Sequence, residues 1–290
     1  MFTRTSTSLV TILTLTAAAC GTANSGVAEA AAPITQPTEQ DVRYGAGIAD
    51  GHTSEPELDV WAPADADEAP VLIILDGQPP SRHSTEEIAA ALAGHGFVVL
   101  NADWQLDPGH LLATGAHYQA ACLVRYARAN AERLGGDPGR VIVVGYSAGG
   151  SMASLLALNG DAVQGQCEQD ESLSPVPDAF IGLAGGFEYL VLDSPEPGFG
   201  AHLFAANSQR WAMLNPYEHV GAGTDVDALL IHGDSDVIVS PGSTERFGAA
   251  LESRGADVTI HLIEEAGHDL VSGPAMTVVV DHINLWLSSR

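Results

Sequence analysis

The chain has 290 residues, 46% of them hydrophobic and 17% charged, which is enough apolar content for a packed core and excludes a disordered or low-complexity polypeptide. Acidic residues number 37 against 11 basic ones, every one of the latter Arg, for a formal charge of −26. Such a surface repels phosphate backbones and anionic head groups, which excludes nucleic acid as a partner.

The first residues read as an address. Arg4 is followed by an apolar stretch from Leu9 to Leu15, then by Ala17-Ala18-Ala19 and Cys20. The run is far shorter than the ~20 residues that span a bilayer, so residues 1–19 are expected to be a signal peptide. Two endings stay open. Small residues before a Cys resemble a bacterial lipobox, which would make Cys20 the lipidated first residue. Alternatively, ordinary cleavage falls here or after Ala28-Glu29-Ala30. Either way the chain is expected to be exported, with a membrane reached only through a lipid on Cys20. Residues 20–40 are mostly Ala, Thr, Gly, Gln and Pro without a hydrophobic period, the composition of a flexible tether. Residues 41–290 then form one catalytic-size domain.

Leu58 to Trp61 alternates like an early strand. Val71-Leu72-Ile73-Ile74-Leu75 is a continuous apolar run of strand length, the pattern of a strand buried on both faces. Ser84-Thr85-Glu86-Glu87 has capping-box spacing and predicts a helix ending near Gly94. Phe97 to Leu100 is the next strand, and a helical period runs from about Tyr118 to Leu134. Gly135-Gly136-Asp137-Pro138 closes that helix. Val141 to Val144 is another buried strand and leads directly into Gly145-Tyr146-Ser147-Ala148-Gly149-Gly150. Ala179 to Leu183, Ala228 to Ile231 and Val258 to Ile263 are further strands, and a helix from about Pro274 to Leu287 ends the chain. Repeated β-α alternation with doubly buried strands predicts an α/β fold with a mostly parallel, helix-flanked sheet. The Pro-, Gly- and aromatic-rich interval 185–220 breaks the rhythm and reads as a cap or lid.

Cys122 and Cys167 are the two cysteines left after Cys20. In an exported protein they pair as one disulfide; two buried free thiols are the alternative. The sequence contains no metal-type spacing such as CxxC or HExxH.

Chemistry gathers at three strand ends. Gly145-Tyr146-Ser147-Ala148-Gly149 follows a β-branched strand and precedes an apolar helix, the context a nucleophilic serine requires. A sharp strand-to-helix turn lifts Ser147 Oγ to the sheet rim, and only small flanking residues let neighbouring backbone approach that closely. His232-Gly233-Asp234-Ser235-Asp236 follows a strand and offers two carboxylates that could fix a histidine tautomer. Asp236 is preferred because the turn places it beyond the strand end, whereas Asp234 reads as a solvated turn residue. Glu264-Glu265-Ala266-Gly267-His268-Asp269 follows the last strand, and His268 lies on a loop that can reach the serine. His261 and His282, inside a strand and on the final helix, read as packing residues. Ser147, Asp236 and His268 thus occur in the order nucleophile, acid, base.

With these motifs the chain resembles the α/β-hydrolase superfamily, and within it the esterase/lipase branch of hormone-sensitive-lipase-like and compact secreted carboxylesterases, over about residues 55–290. Asn101-Ala102-Asp103-Trp104-Gln105-Leu106-Asp107-Pro108 is similar to that branch's Asp-Tyr-Arg-Leu-x-Pro loop. Residues Ala129-Asn130 through Gly135-Gly136-Asp137-Pro138-Gly139-Arg140 resemble its approach to the serine. The resemblance implies a serine ester hydrolase with Ser147 as nucleophile, Asp236 as acid and His268 as base, acting on a small-molecule ester with no metal and no organic cofactor. One loop departs from the branch: Asp76-Gly77-Gln78-Pro79 stands where His-Gly-Gly-Gly is usual. Pro79 has no N–H to donate, so the oxyanion hole is expected to use the backbone N–H of Ala148 and of Gln78, with Gly77 as a further candidate. Tyr146 and Trp104 are candidate substrate contacts, together with Phe187, Tyr189, Phe199 and Trp211 of the cap interval. A serine peptidase, a polyester hydrolase and a catalytically inactive surface-anchored binding protein are the alternatives on the same fold. The ester itself and the oligomeric state are not legible in the sequence.

Overall fold

The computed structural model describes residues 34–45, 56–77, 81–104, 114–162, 167–187, 215–221 and 225–290, all within one compact unit, Pro33–Arg290. The signal peptide, Cys20, Gln78, Pro79 and most of the interval 185–220 lie outside the described residues, including Tyr189, Phe199 and Trp211.

Among the described residues the strands are β1 (Glu39–Arg43), β2 (Glu57–Trp61), β3 (Ala69–Leu75), β4 (Val98–Ala102), β5 (Gly136–Tyr146), β6 (Ala179–Leu183), β7 (Asp227–Gly233) and β8 (Asp257–Ile263). They form one sheet in the order β1-β2-β4-β3-β5-β6-β7-β8. The pairs of β1 with β2 and of β2 with β4 are antiparallel. From β4 across to β8 every pair is parallel. The helices among the described residues are α1 (Glu86–Gly94), α2 (Thr114–Asn130), α3 (Ala148–Asn159), α4 (Pro241–Glu252) and α5 (Gly273–Ser288). None of the described helices is long and apolar enough to cross a membrane.

Two apolar layers cover the sheet. On one face Val71, Ile73 and Leu75 of β3 meet Leu123 and Val124 of α2, Leu155 of α3 and Phe247 of α4. On the other, Leu72 and Ile74 meet Ile88 and Leu92 of α1 and Val279 and Ile283 of α5. Side chains alternate across a strand, so a strand covered on both faces must be apolar at every position. Each such side chain contributes roughly 1.5–3 kcal/mol relative to exposure.

Three local readings change. β1 begins at Glu39, inside the stretch whose composition reads as tether; Thr38 already donates its N–H to Val60 O at 2.7 Å. β5 starts at Gly136, because Ala69 pairs with Gly136 and extends the strand through the glycine-proline segment expected only to close the preceding helix. The Ser84–Glu87 capping box does not form. Arg82–Thr85 is a 3-10 turn with α1 starting at Glu86, and the Ser84 hydroxyl is drawn instead to Asp76 Oδ2 and Ser81 O. Charge explains that choice, since a hydroxyl bonded to a carboxylate makes a stronger hydrogen bond than one accepting a neutral first-turn N–H.

Cys122 of α2 and Cys167 are bonded to each other, 45 residues apart in sequence. Beside them the Arg125 guanidinium donates Nε–H to Leu173 O at 2.9 Å, so the segment before β6 is fastened to α2 twice.

Candidate active site

The parallel strands β3, β5, β7 and β8 all end at the same edge, and the segments that leave those ends carry the candidate site. Ligands of parallel α/β sheets bind outside that edge.

Ser147 sits between β5 and α3 with φ 55° and ψ −115°. A non-glycine residue in that region is strained by about 1–3 kcal/mol, and the surrounding glycines show what holds it there. A Cβ on Gly145 would lie 2.1 Å from Gly149 O, and one on Gly149 would lie 2.1 Å from Leu75 O. A Cβ on Gly150 would lie 2.9 Å from the Gly185 Cα. The turn is therefore closed by backbone packed on backbone. Its hydrogen bonds run from Ser147 N to Leu183 O at 2.8 Å and from Gly186 N to Ser147 O at 3.1 Å.

The Ser147 hydroxyl lies 3.1 Å from His268 Nε2, and His268 Nδ1 lies 2.6 Å from Asp236 Oδ2. A carboxylate only accepts, so Nδ1 carries the proton and Nε2 is left to accept from Oγ–H. His268 is mostly buried and the Asp236 side chain entirely so. Burial alone would push the Asp236 carboxyl up. Hydrogen bonds from His268 and from the backbone N–H groups of Val239 and Ile238 outweigh it and hold the group below the usual carboxylate range. Those backbone bonds are 3.0 Å and 2.8 Å, both to Oδ1. Asp234 has another job: it is exposed, and its Oδ1 accepts the Glu265 N–H at 2.8 Å, tying the β7 loop to the β8 loop.

Gly77, two residues after β3, lies against the serine. A Cβ on Gly77 would lie 2.9 Å from Ser147 Cβ, so glycine is required there by close approach. Its N–H is already taken, donating to Asp76 Oδ1 at 2.6 Å. Gly77 is therefore withdrawn as an oxyanion donor: a bond to a charged acceptor on its own neighbour leaves its proton committed. Gln78 lies outside the described residues. Ala148 is the first residue of α3, where the helix supplies no acceptor for N–H and the helix dipole favours negative charge.

Asp76 organises this loop, a role not read from the sequence. It is 3% exposed, and its Oδ2 accepts the Ser81 N–H at 3.0 Å and the Ser84 hydroxyl. The available signal was an acid directly after five doubly buried apolar residues, with serines downstream to satisfy it. Trp104 is corrected too. It is buried, and its indole N–H donates to Asp76 O at 3.0 Å, so it supports the loop from beneath. Tyr146 is half-buried with its ring centroid 5.2 Å from that of His268. Burial, followed by the Asp269, Asp76 and Asp236 carboxylates, raises its phenol well above the ordinary value and keeps it neutral. Phe187 is buried and stacks on Phe247 at 4.4 Å, a packing contact beneath α4. His261 and His282 stack on each other at 4.0 Å.

Among the described residues one group of metal-type side chains converges, Asp59, His83 and Glu86. Asp59 is occupied there by the Asp41 N–H and by Arg82, and His83 by Glu86 at 2.7 Å.

Comparison with known proteins follows the same outline. The BD-FAE family model matches residues 58–251. Esterase LipC of Mycobacterium tuberculosis is 27% identical over 249 residues, covering 80% of this chain and 61% of LipC. Carboxylesterase NlhH of the same species is 35% identical over 112 residues, covering 37% of this chain and 35% of NlhH. The chain thus matches less than two thirds of the length of either relative. Among solved structures, propionate-bound Est2, an esterase of Thermogutta terrifontis, superposes with a TM-score of 0.74 at 22% identity, covering 89% of this chain and 96% of Est2. The fold is that of the α/β-hydrolases.

Proposed function

The chain belongs to the BD-FAE family, and from that premise we propose that it is an exported serine carboxylic-ester hydrolase acting on small to medium acyl esters through an acyl-enzyme. One observation carries the reading: Ser147 Oγ, His268 and Asp236 lie in a continuous hydrogen-bonded line, with the serine at a helix N-terminus.

His268 Nε2 takes the Oγ proton as Ser147 attacks the ester carbonyl, and Asp236 stabilises the imidazolium. The tetrahedral oxyanion draws on the Ala148 N–H and the α3 N-terminus, with Gln78 N–H as the second donor. His268 then gives the proton to the departing alcohol. Water, activated by the same nitrogen, hydrolyses the acyl-enzyme and restores Ser147. Short acyl groups are favoured by analogy with Est2, which has been captured with propionate and with butyrate bound. Est2 has also been captured phosphonylated by sarin, which supports covalent chemistry on this fold. The Cys122–Cys167 bond supports export, since disulfides persist in oxidising compartments. Anchoring through a lipid on Cys20 belongs to the same proposal.

Hydrolysis of p-nitrophenyl acetate, butyrate and decanoate by wild type beside Ser147→Ala tests the chemistry, and the chain-length profile sizes the acyl site. Turnover in wild type that disappears in the variant is expected. A folded wild type inert towards all three, at low and high salt, sinks the esterase reading. Mass analysis of the mature N-terminus in the native host tests export; an unprocessed Met1 would remove it.

A further inference from the structure

The acid of the site is held by a second histidine. His232, at the end of β7, is fully buried. Its Nε2 lies 3.0 Å from Asp236 Oδ2 and 3.0 Å from Val239 O, while its Nδ1 lies 2.6 Å from the Thr244 hydroxyl of α4. Both neighbours of Nε2 are acceptors, so Nε2 must carry a proton. Turning the ring over would put carbon against the carboxylate and the carbonyl, leaving buried polar atoms unpaired. Burial pulls the imidazole below its ordinary pKa, against the pull of Val239 O and Asp236 and with His268 adding to the fall. Nδ1 is then bare and accepts the Thr244 O–H. The two histidines address the same oxygen: Oδ2 receives Nδ1–H from His268 and Nε2–H from His232, while Oδ1 receives the Ile238 and Val239 N–H groups. All four acceptor positions of the carboxylate are filled.

We propose that His232 is a positioning residue of the proton path, held as the neutral Nε2–H tautomer by its two acceptors and oriented by the Thr244 hydroxyl, and that it fixes Asp236 Oδ2 in front of His268 and sets how strongly that oxygen stabilises the imidazolium. The proposal rests on the ester-hydrolase reading and deepens it. A donor on Oδ2 spreads charge that would otherwise act on His268 alone. Removing it leaves Oδ2 freer to rotate and more strongly attracting to the imidazolium. Turnover falls, because the histidine is less well aimed, and His268 becomes more basic. The other titratable groups around the pair are Tyr146 at the end of β5, Asp76 after β3, Asp269 beside His268, and Asp234, Glu264 and Glu265 on the two joined loops. None of these contacts Oδ2 in the described structure, so an effect transmitted through that oxygen belongs to His232.

The test compares wild type, His232→Phe, His232→Gln and Thr244→Val on p-nitrophenyl butyrate, with Ser147→Ala as the chemical control. Fold is checked by circular dichroism, and the His268 Nδ1 proton is followed by low-field NMR. In His232→Phe, kcat is expected to fall roughly 10-fold or more with KM changed much less, as for a misaimed catalytic group. The acid limb of the kcat/KM profile moves to higher pH, and the low-field resonance shifts. Gln, whose amide nitrogen can stand near the Nε2 position, restores part of kcat and of the profile. Thr244→Val leaves Nδ1 without its donor, loosens the ring, and moves the acid limb in the same direction by a smaller amount. If His232→Phe does not fold, His232→Gln and Thr244→Val decide. Variants that lose thermal stability while the acid limb, the low-field proton and kcat stay at wild-type values overturn the proposal and leave His232 a packing residue. A wild type with no activity fails the ester-hydrolase reading instead, and the NMR comparison still reports whether His232 governs the His268–Asp236 bond.

Discussion

The Trp104 indole N–H donates to Asp76 O at 3.0 Å while the Asp76 carboxylate faces the other way, onto Gly77, Ser81 and Ser84. The segment leaving β4 thereby supports Asp76 from its backbone side, and that one buried acid gathers Gly77, Ser81 and Ser84 around its carboxylate.

Asp76→Asn tests that device. The amide oxygen can still accept from Gly77, but its NH₂ group would face the Ser81 N–H, donor against donor. The loop is expected to shift, with kcat falling roughly 10–100-fold and KM changing less, on the scale of a weakened oxyanion site. Steady-state kinetics on p-nitrophenyl butyrate read the result, and a wild-type kcat would show that the Asp76 carboxylate does not shape the surroundings of Ser147.

Gly149→Ala asks whether the serine turn tolerates a methyl group. The added Cβ would lie 2.1 Å from Leu75 O and 2.7 Å from Asp76 O. The cost is expected to be at least about 1–3 kcal/mol, the range for overpacked sites, together with loss of activity. Gly94→Ala is the matched control, because a Cβ there meets nothing within 4 Å and the position closes α1; it is expected to be neutral or slightly stabilising. Melting curves of the two variants separate steric exclusion from a general intolerance of alanine.

How much of this could be seen in the sequence divides along physical lines. The doubly buried strands announced themselves through unbroken apolar runs, and Ser147, Asp236 and His268 stood at their ends with small residues beside them. β1 was invisible because an edge strand with a half-exposed, polar sequence, Glu39 to Arg43, carries no hydrophobic period. Asp76 and His232 were passed over for a different reason. Each is a polar residue whose importance lies in which buried donor or acceptor it meets across the fold, from 5 to 12 residues away for Ser81, Ser84 and Thr244. Spacing alone does not encode those meetings.

Reducing the Cys122–Cys167 bond should destabilise the domain without touching its chemistry. For a loop of 45 residues the chain-entropy relation gives about 4 kcal/mol. A double Cys→Ala variant is expected to unfold at clearly lower urea while retaining wild-type kcat at 25 °C. An unchanged urea midpoint would mean that the Arg125 contact already fastens the segment.

Acid stability should depend on His117. This buried imidazole is pushed down to about 4, first by desolvation and then by His219 nearby. Its unfolded value is near 6.5, so between those limits the unfolded chain binds a proton that the native protein refuses. Stability from this group is complete above about pH 6.5 and is lost as the pH falls towards 4, by roughly 3 kcal/mol in total. Because protonating surface acids relieves repulsion at the same time, the informative quantity is the difference between wild type and His117→Gln. Urea unfolding at pH 7 and pH 5 should show the variant losing less. Equal losses would show that His117 takes up its proton without unfolding.

Gly233 has no Cβ, and a methyl there would stand 2.3 Å from both Ala266 O and Gly267 O. The loops that bear Asp236 and His268 are consequently seated on each other, with Asp234 N on Ile263 O and Ser235 N on Ala266 O, each at 3.0 Å. For anyone recombining this protein with a relative, that contact marks a segment to inherit whole. A crossover between Asp236 and Gly267 mates the Asp236 loop of one parent with the His268 loop of the other. One placed before Asp227 passes both on together, already fitted.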